Sequence, residues 1–313
     1  MPVRGLEMGE TGPALRRNLG HMLDAIDRVF QGGAAPQLLQ FDGFPLQGGR
    51  KWTRREASEL AIELPGVETE AIGVKCREYG TWIVFGAYAH DPDWPGHVLS
   101  ITTVMDDTGR IVDRHWKSCR TRGVFKDPDL FTTTIHDVLD RYVEMYGRDA
   151  VIPVTRTPLG NIATTAVQCE PELIRAMAMK GAEIVLRAAS GGCSRIDIQA
   201  CAMHNGIYSS MVLDPGSVRC GPLPGDAHCA AAIYGPDGTA IAESAGRVQH
   251  LVSAQILIGD LRARRCAPAL PMEMCGDVFD RYQGPFAPGS WLRRMPRSLE
   301  EAVHHHRQTS RWK

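Results

Sequence analysis

The stretch Thr157–Gly192, TPLGNIATTAVQCEPELIRAMAMKGAEIVLRAASGG, decides the fold expected for this chain. After a turn, it continues into a short apolar run over Asn161–Val167, which is typical of a buried strand. A helix is predicted to begin at Pro171, because proline suits the first helical turn, where its missing N–H would have no partner. Gly181 ends that helix, and Glu183–Arg187 forms a second strand. Strand, helix and strand in this order indicate an α/β fold.

Cys169 lies between the first strand and the start of the helix. The macrodipole and the unpaired N–H groups at a helix N-terminus favour a thiolate, so we interpret Cys169 as a candidate nucleophile. The alternative is a small buried hydrophobic residue, because free cysteine is among the most buried residue types.

The run from Pro171 to Gly192 resembles the carbon–nitrogen hydrolase (nitrilase) superfamily, most closely its aliphatic amidases and formamidases, which carry a similar PE…R…AMKGAE…R run. Further motifs follow the family's order over most of the chain, at Arg17–Asp27, Leu38–Gly48, Leu64–Thr69, Trp82–Ala87, Asp107–Lys117 and Ala232–Ser244. The resemblance implies a four-layer α-β-β-α sandwich, in which two mixed sheets pack face to face with helices outside.

The superfamily works with a catalytic glutamate, lysine and cysteine. The cysteine attacks the amide or nitrile carbon, the glutamate moves the proton, and the lysine stabilises the developing oxyanion. By this resemblance Lys117, in RHWKS, corresponds to the lysine, and Gly43, in DGFPLQG, stands where the glutamate belongs. A second glutamate of the amidases corresponds to Arg122. The resemblance therefore implies a degenerate triad.

The position of the nucleophile depends on how the motif is aligned. Counting back from Pro171 reaches Thr165, whereas counting forward from Gly160 reaches Val167. Cys169 fits only if the turn was rebuilt around a short deletion.

Asp42 and Glu170 are candidate substitutes for the missing base. Asp42 precedes Gly43, and one step along a strand turns a side chain to the opposite face, so Asp42 serves only if a bulge re-aims it. Lys117 either contacts a ligand or forms an ion pair, for instance with Asp42. Arg122 is either a solvated loop charge or an anion clamp.

Length, composition and charge narrow the class of protein. A chain of 313 residues with 43% apolar residues fits one large α/β domain. A net charge of −1 gives no electrostatic case for a nucleic acid or an anionic membrane as partner. Nine cysteines without CxxC pairing, with no signal peptide and no apolar span of membrane length, favour the cytoplasm.

We expect neither a metal ion nor an organic cofactor. His115 with Cys119, and the histidine and cysteines within residues 220–229, have no recognised zinc spacing. The glycine pairs lack any Walker or dinucleotide pattern. His304–His306 is interpreted as a solvated tract on a charged tail.

The predicted boundaries are a carbon–nitrogen-hydrolase-like domain over residues 1–284 and a Pro-, Arg- and His-rich arm over residues 285–313. In relatives such arms wrap a neighbouring subunit, which implies a homo-oligomer or a hetero-oligomer with an active relative. Two functional hypotheses follow. The first is a scaffold that has lost conventional amide hydrolysis and binds a small molecule or serves assembly. The second is a diverged enzyme in which Cys169 and Lys117 act on an amide, nitrile or acyl C–N bond.

Overall fold

The structure is a computed structural model that describes residues 11–48, 53–120, 132–167, 169–189, 194–213, 231–245, 251–264 and 271–312. The strands of its first sheet are β1 (Leu38–Gln40), β2 (Ile62–Glu63), β3 (Trp82–His90), β4 (Leu99–Met105) and β5 (Ile111–Trp116). The strands of its second sheet are β6 (Thr155–Thr157), β7 (Gly160–Thr165), β8 (Ile184–Ala189), β9 (Tyr208–Leu213), β10 (Ala231–Tyr234) and β11 (Ala240–Glu243).

The helices found in these ranges are α1 (Thr11–Gln31), α2 (Arg54–Leu60), α3 (Val67–Tyr79), α4 (Leu139–Tyr146), α5 (Pro171–Met179), α6 (Arg195–Asn205), α7 (Ile258–Arg264), α8 (Met272–Arg281), α9 (Ser290–Arg293) and α10 (Leu299–Thr309). Two short 3₁₀ helices cover Ile135–Val138 and Arg148–Val151.

Both sheets are mixed. The first has the order β1-β3-β4-β5, with β2 beside the far end of β3; β1 and β2 run parallel to β3, and the other pairs are antiparallel. The second has the order β11-β10-β9-β8-β7-β6, and β7, β8 and β9 are parallel to one another. The predicted strand, helix and strand around Pro171 are therefore the β7-α5-β8 crossover.

The boundaries of this crossover differ slightly from those predicted. Strand β7 ends at Thr165 instead of Val167, because the Thr165 hydroxyl accepts the N–H of Val167 at 3.0 Å and turns the backbone away from the ladder. Strand β8 begins one residue later than predicted and continues to Ala189. Gly181 has a φ of +94°, a conformation that glycine adopts without a steric penalty, and it separates α5 from β8 as expected.

Alternating side chains of β3 divide the core into layers. Ile83 and Phe85 pack against Ile26 of α1 and Ile72 of α3, on the outer side of the first sheet. Between them, Val84 faces the other way, because successive strand residues point to opposite faces.

On the inner side, Val84 packs with Val104 of β4 and with Ile162 and Leu186 of the second sheet. The outer side of the second sheet is covered by α5 and α6, whose Met177 and Cys201 share a cluster with β7 and β8. Burial of these faces contributes about 25 cal/mol for each Å² of apolar surface removed from water. The α-β-β-α sandwich predicted from the sequence is confirmed.

The segment after residue 284 is partly helical and packs on its own chain. Trp291 of α9 is buried, and the guanidinium carbons of Arg120 and Arg54 lie 4.1 Å and 5.2 Å from the centroid of its ring. The Gly289 N–H also donates to the His136 carbonyl at 2.9 Å. Contact of this segment with a neighbouring subunit, and its status as a separate arm, stay predictions.

Candidate functional site

The end of β1 in the first sheet lies against the middle of β8 and β9 in the second sheet. The Gln40 side chain donates to the Arg187 carbonyl at 2.9 Å, and it accepts a hydrogen bond from Ser210. Thr165 pairs with Arg187 across the parallel ladder of β7 and β8. Gln40 at the end of β1 and Thr165 at the end of β7 therefore both lie beside Arg187 of β8.

Gly43 is buried where the chain leaves β1 and passes close to β3. The Gly86 N–H donates to the Asp42 carbonyl at 3.1 Å. A Cβ at Gly86 would clash with the Gly43 carbonyl, so glycine at position 86 allows this close approach. The Asp42 carboxylate accepts the N–H of Phe44 at 2.8 Å, which is an Asx-type turn. One carboxylate oxygen of Asp42, the candidate substitute base, therefore already accepts a hydrogen bond within this turn.

Lys117 follows the last residue of β5 and is 9% exposed. Its N–H donates to the Ser100 carbonyl at 2.9 Å, and its carbonyl accepts the N–H of Ile135 at 3.1 Å. These two hydrogen bonds fix the backbone of Lys117, and so they fix the point from which its side chain extends. A lysine buried to this degree requires a polar environment, because burial of an unpaired charge is costly.

The turn after β7 separates the three candidates for the nucleophile position. Thr165 and Val167 are 5% and 2% exposed, whereas Cys169 is exposed. An aliphatic side chain cannot act as a nucleophile, which removes Val167 from the chemistry. The exposure of Cys169 does not fit the alternative interpretation of this residue as a buried hydrophobe.

Cys169 has a φ of +58°, the single positive value at a non-glycine residue in the described ranges. The left-handed region costs about 1–2 kcal/mol for a residue with a Cβ. Such strain persists only where surrounding contacts enforce it, and it is found preferentially at functional sites.

The carboxylate of Asp197, in the first turn of α6, holds this conformation. Asp197 Oδ2 accepts the Cys169 N–H at 3.2 Å and the Arg187 Nη1–H at 2.8 Å. Arg187 is 3% exposed, so the guanidinium is a buried charge that needs this carboxylate. Ser194 caps α6 by accepting the Asp197 N–H at 3.2 Å, which fixes the position of the aspartate.

The electrostatics around Cys169 oppose a thiolate. Desolvation by neighbouring atoms raises the pKa of the Cys169 thiol, the charge of Asp197 raises it further, and Arg187 acts in the opposite direction. Glu170 adds a smaller increase. The expectation of a thiolate stabilised by the helix N-terminus is therefore not supported at this turn. The adjacent Cys201, 3.8 Å from Asp197 Oδ1, has its pKa raised to about 12, chiefly by burial.

Glu170 occupies the N-cap position of α5 and accepts the Leu173 N–H through its backbone carbonyl at 3.1 Å. Arg122 lies outside the described residues.

Sequence reasoning missed the pair of Arg187 and Asp197. The available signal was a single arginine in the otherwise apolar run VLRAA, since a charge in a buried strand needs a partner.

Within the described ranges, no group of three or more His, Cys, Asp or Glu side chains is arranged to hold a metal ion. His304 is exposed, and His306 stacks on Phe286 with ring centroids 3.5 Å apart. No helix among the described residues has the length and apolar character needed to cross a membrane.

The fold agrees with comparisons to known proteins. A sequence model of the carbon–nitrogen hydrolase family matches residues 4–265, which is most of the chain. The chain therefore belongs to the carbon–nitrogen hydrolase family.

Individual relatives have low sequence identity to this chain. A bifunctional nitrilase/nitrile hydratase from Lupinus angustifolius is 29% identical over 134 residues, which are 42% of this chain and 32% of that protein. The chain thus matches about a third of the length of this curated relative.

Solved structures of one amidase, from Nesterenkonia sp. AN1, are similar over most of the chain. A variant with acrylamide added at its active-site cysteine has a TM-score of 0.57 at 18% identity, covering 84% of this chain and 94% of that chain. Another variant, in complex with butyramide, has a TM-score of 0.56 at 18% identity, covering 84% and 91%. At this identity the likeness establishes the fold alone, a nitrilase-superfamily sandwich.

Proposed function

We propose that this chain is a carbon–nitrogen hydrolase homologue that has lost conventional amide hydrolysis and binds a small molecule in a pocket near the ends of β1 and β7, which we call the strand-end pocket. The observation that carries the proposal is the environment of Cys169. Desolvation raises the pKa of its thiol, and the nearby carboxylate of Asp197 raises it further, which disfavours the nucleophilic form.

The residues at the position expected for the general base also support the loss of amide hydrolysis. Gly43 has no side chain to accept a proton, and the Asp42 carboxylate accepts the Phe44 N–H within its own turn. Loss of a general base lowers the rate by about two to four orders of magnitude. A lysine such as Lys117 stabilises an oxyanion only after attack has occurred, so it does not replace the base.

A binding experiment tests the retained pocket. Butyramide is the probe, because a related amidase has been solved in complex with it. We expect saturation-transfer NMR to detect bound butyramide, and the amide to remain intact over hours of incubation. Lys117→Met removes a charge from the expected pocket and is expected to reduce the binding, whereas Lys75→Met, on α3, is the matched control. Absence of binding at millimolar butyramide contradicts the ligand-binding half of the proposal.

The second candidate is a diverged enzyme in which Cys169 and Lys117 act on an amide, nitrile or acyl C–N bond. The observation in its favour is the strained φ of +58° at Cys169, which exposes a thiol at the start of a helix. Acrylamide is the probe that compares the two candidates, because it adds to the active-site cysteine in a variant of the related amidase from Nesterenkonia sp. AN1. Rapid labelling of Cys169 alone, detected by peptide mass spectrometry, favours the enzyme; labelling no faster than that of Cys119 favours the binding protein.

For the assembly and its compartment, we infer a homo-oligomer in a reducing compartment, the cytoplasm. The odd number of cysteines without CxxC spacing supports the compartment. Light scattering at micromolar concentration tests the oligomer: a mass near twice 34.4 kDa or more is expected, and a mass of one chain contradicts it.

A further inference from the structure

A cavity of about 470 Å³ lies beside α3 on the first sheet, and three arginines line it. These are Arg77 at the end of α3, Arg110 in the β4–β5 turn, and Arg114 on β5. We call it the arginine groove. None of the candidate site residues in the described ranges lines it.

The arginine groove is on the outer face of the sheet, away from the proposed strand-end pocket. On β5, His115 reaches Thr164 of the second sheet at 2.9 Å, and Asp113 reaches Thr155 at 2.7 Å. These two side chains therefore face inward. Arg114 lies between them, and its side chain points to the opposite face.

Two glycines bring the walls of the groove together. A Cβ added to Gly73 of α3 would be 2.8 Å from the Gly109 carbonyl oxygen, which is closer than real contacts of this kind. A Cβ at Gly109 would meet the Gly73 carbonyl and an Nη of Arg77, both at 2.5 Å. Close packing of α3 on the β4–β5 turn thus places Arg77 next to that turn.

The guanidinium groups of Arg77 and Arg110 converge on Thr108. Arg77 Nη1 donates to the Thr108 carbonyl at 3.3 Å, and Arg110 Nε donates to the Thr108 hydroxyl at 3.0 Å. Arg110 is 3.4 Å from Asp106 Oδ2. Each guanidinium has five N–H donors, so these contacts leave donors for another acceptor.

Arginines outnumber carboxylates in the lining itself. Among the residues that line the groove, Glu70 is the single carboxylate against three guanidiniums. Two carboxylates outside the lining partly offset this charge, Asp106 at 3.4 Å from Arg110 and Asp91 at 3.7 Å from Arg114. Arg114 also donates to the Leu64 carbonyl at 3.1 Å. The N–H donors that these contacts leave on the guanidiniums can donate to an anion in the groove.

We propose that the arginine groove binds a small organic carboxylate. Its carboxylate group is held between Arg77 and Arg110, where planar guanidiniums provide paired donors. Its aliphatic part lies against Met105 and Ile111, which also line the cavity. The cavity volume falls within the usual range for small-molecule sites. This site is separate from the proposed function and does not depend on it.

The experiment measures binding of hexanoate to the whole chain by isothermal titration calorimetry. Hexan-1-ol is the neutral probe of matched length, and inorganic phosphate distinguishes a general anion site from one for organic carboxylates. We expect hexanoate to bind, and to bind at least about tenfold more tightly than hexan-1-ol, because a charge-assisted hydrogen bond is stronger than a neutral one. Phosphate that binds as tightly as hexanoate overturns the assignment to an organic carboxylate.

Single substitutions show where on the protein hexanoate binds. Arg77→Gln and Arg110→Gln are each expected to weaken hexanoate about tenfold, whereas Arg16→Gln, an exposed arginine of α1, changes the net charge equally and leaves the affinity unchanged. Thermal unfolding of each variant confirms folding. Equal effects of all three variants, or no binding of hexanoate at millimolar concentration, overturn the proposal. Loss of binding in Lys117→Met, with Arg77→Gln unaffected, places hexanoate in the strand-end pocket and also overturns it.

Discussion

The backbone N–H of Cys169 donates to Asp197 Oδ2 at 3.2 Å, across 28 positions of sequence. This bond joins the strained turn before α5 to the first turn of α6. It also places a negative charge next to the thiol that the sequence identified as a candidate nucleophile. The pKa of the Cys169 thiol, which desolvation raises, is thus raised further by a residue outside its own motif.

Asp197→Asn is expected to accelerate alkylation of Cys169. Removal of the carboxylate charge lowers the pKa of the thiol, so the thiolate fraction near neutral pH increases. The measurement is the rate of iodoacetamide labelling of Cys169 by peptide mass spectrometry between pH 6 and 9. Glu172→Gln, an exposed carboxylate on α5, is the control for a change of net charge.

Arg187→Gln is expected to act in the opposite direction. Arg187 lowers the pKa of Cys169, so its removal raises that pKa and slows labelling. Near-UV circular dichroism verifies that both variants fold. Equal rates in wild type, Asp197→Asn and Arg187→Gln mean that neither charge controls the thiol, contrary to the assignment made above.

Asp137→Ala is expected to destabilise the protein by about 3–5 kcal/mol, because it removes the carboxylate to which the buried guanidinium of Arg120 donates. Both side chains are under a tenth exposed, and Asp137 Oδ2 accepts from Arg120 at 2.7 Å and from the Thr134 N–H at 2.9 Å. Urea denaturation gives the free energy of unfolding.

The matched control is Asp277→Ala, which removes an ion pair with Arg281 in which both side chains are 83% exposed. An exposed pair of this kind contributes about 0–1 kcal/mol. A loss in Asp137→Ala no greater than that in Asp277→Ala excludes a structural role for the buried pair.

Asp113 is expected to contribute to the acid sensitivity of the fold. Burial raises the pKa of this carboxyl, but its hydrogen bond and charge interaction with His115 and its bond from Thr155 outweigh burial and lower the pKa to about 2. A depressed pKa in the folded state gives stability that is present above the unfolded value, near 4, and is lost as the pH falls toward 2.

Urea midpoints measured from pH 5 to pH 2 test this contribution. Asp113→Asn is expected to show a shallower decline below pH 4 than wild type, and Asp24→Asn, an exposed aspartate of α1, the same decline as wild type. Identical profiles for Asp113→Asn and wild type show that Asp113 titrates equally in both states.

The layers of this fold were predictable from local sequence signals, whereas the chemistry of the turn was not. Pro171 and Gly181 define α5 because each has a backbone property that other residues lack. The φ of +58° at Cys169 has no such signal, since cysteine does not favour the left-handed region. The dipole argument for a thiolate considered α5 alone, and it could not include Asp197, which the fold brings in from α6.

The central claim, that conventional amide hydrolysis has been lost, is tested by ammonia release from acetamide, formamide, propionamide and benzonitrile. Wild type, Cys169→Ala and Gly43→Glu are assayed at equal concentration. We expect wild type and Cys169→Ala to release ammonia at the same background rate, because Gly43 offers no proton acceptor and the thiol of Cys169 is held in its neutral form. Activity gained only in Gly43→Glu identifies the base as the main loss. Wild-type turnover that Cys169→Ala abolishes contradicts the claim and establishes a working cysteine hydrolase.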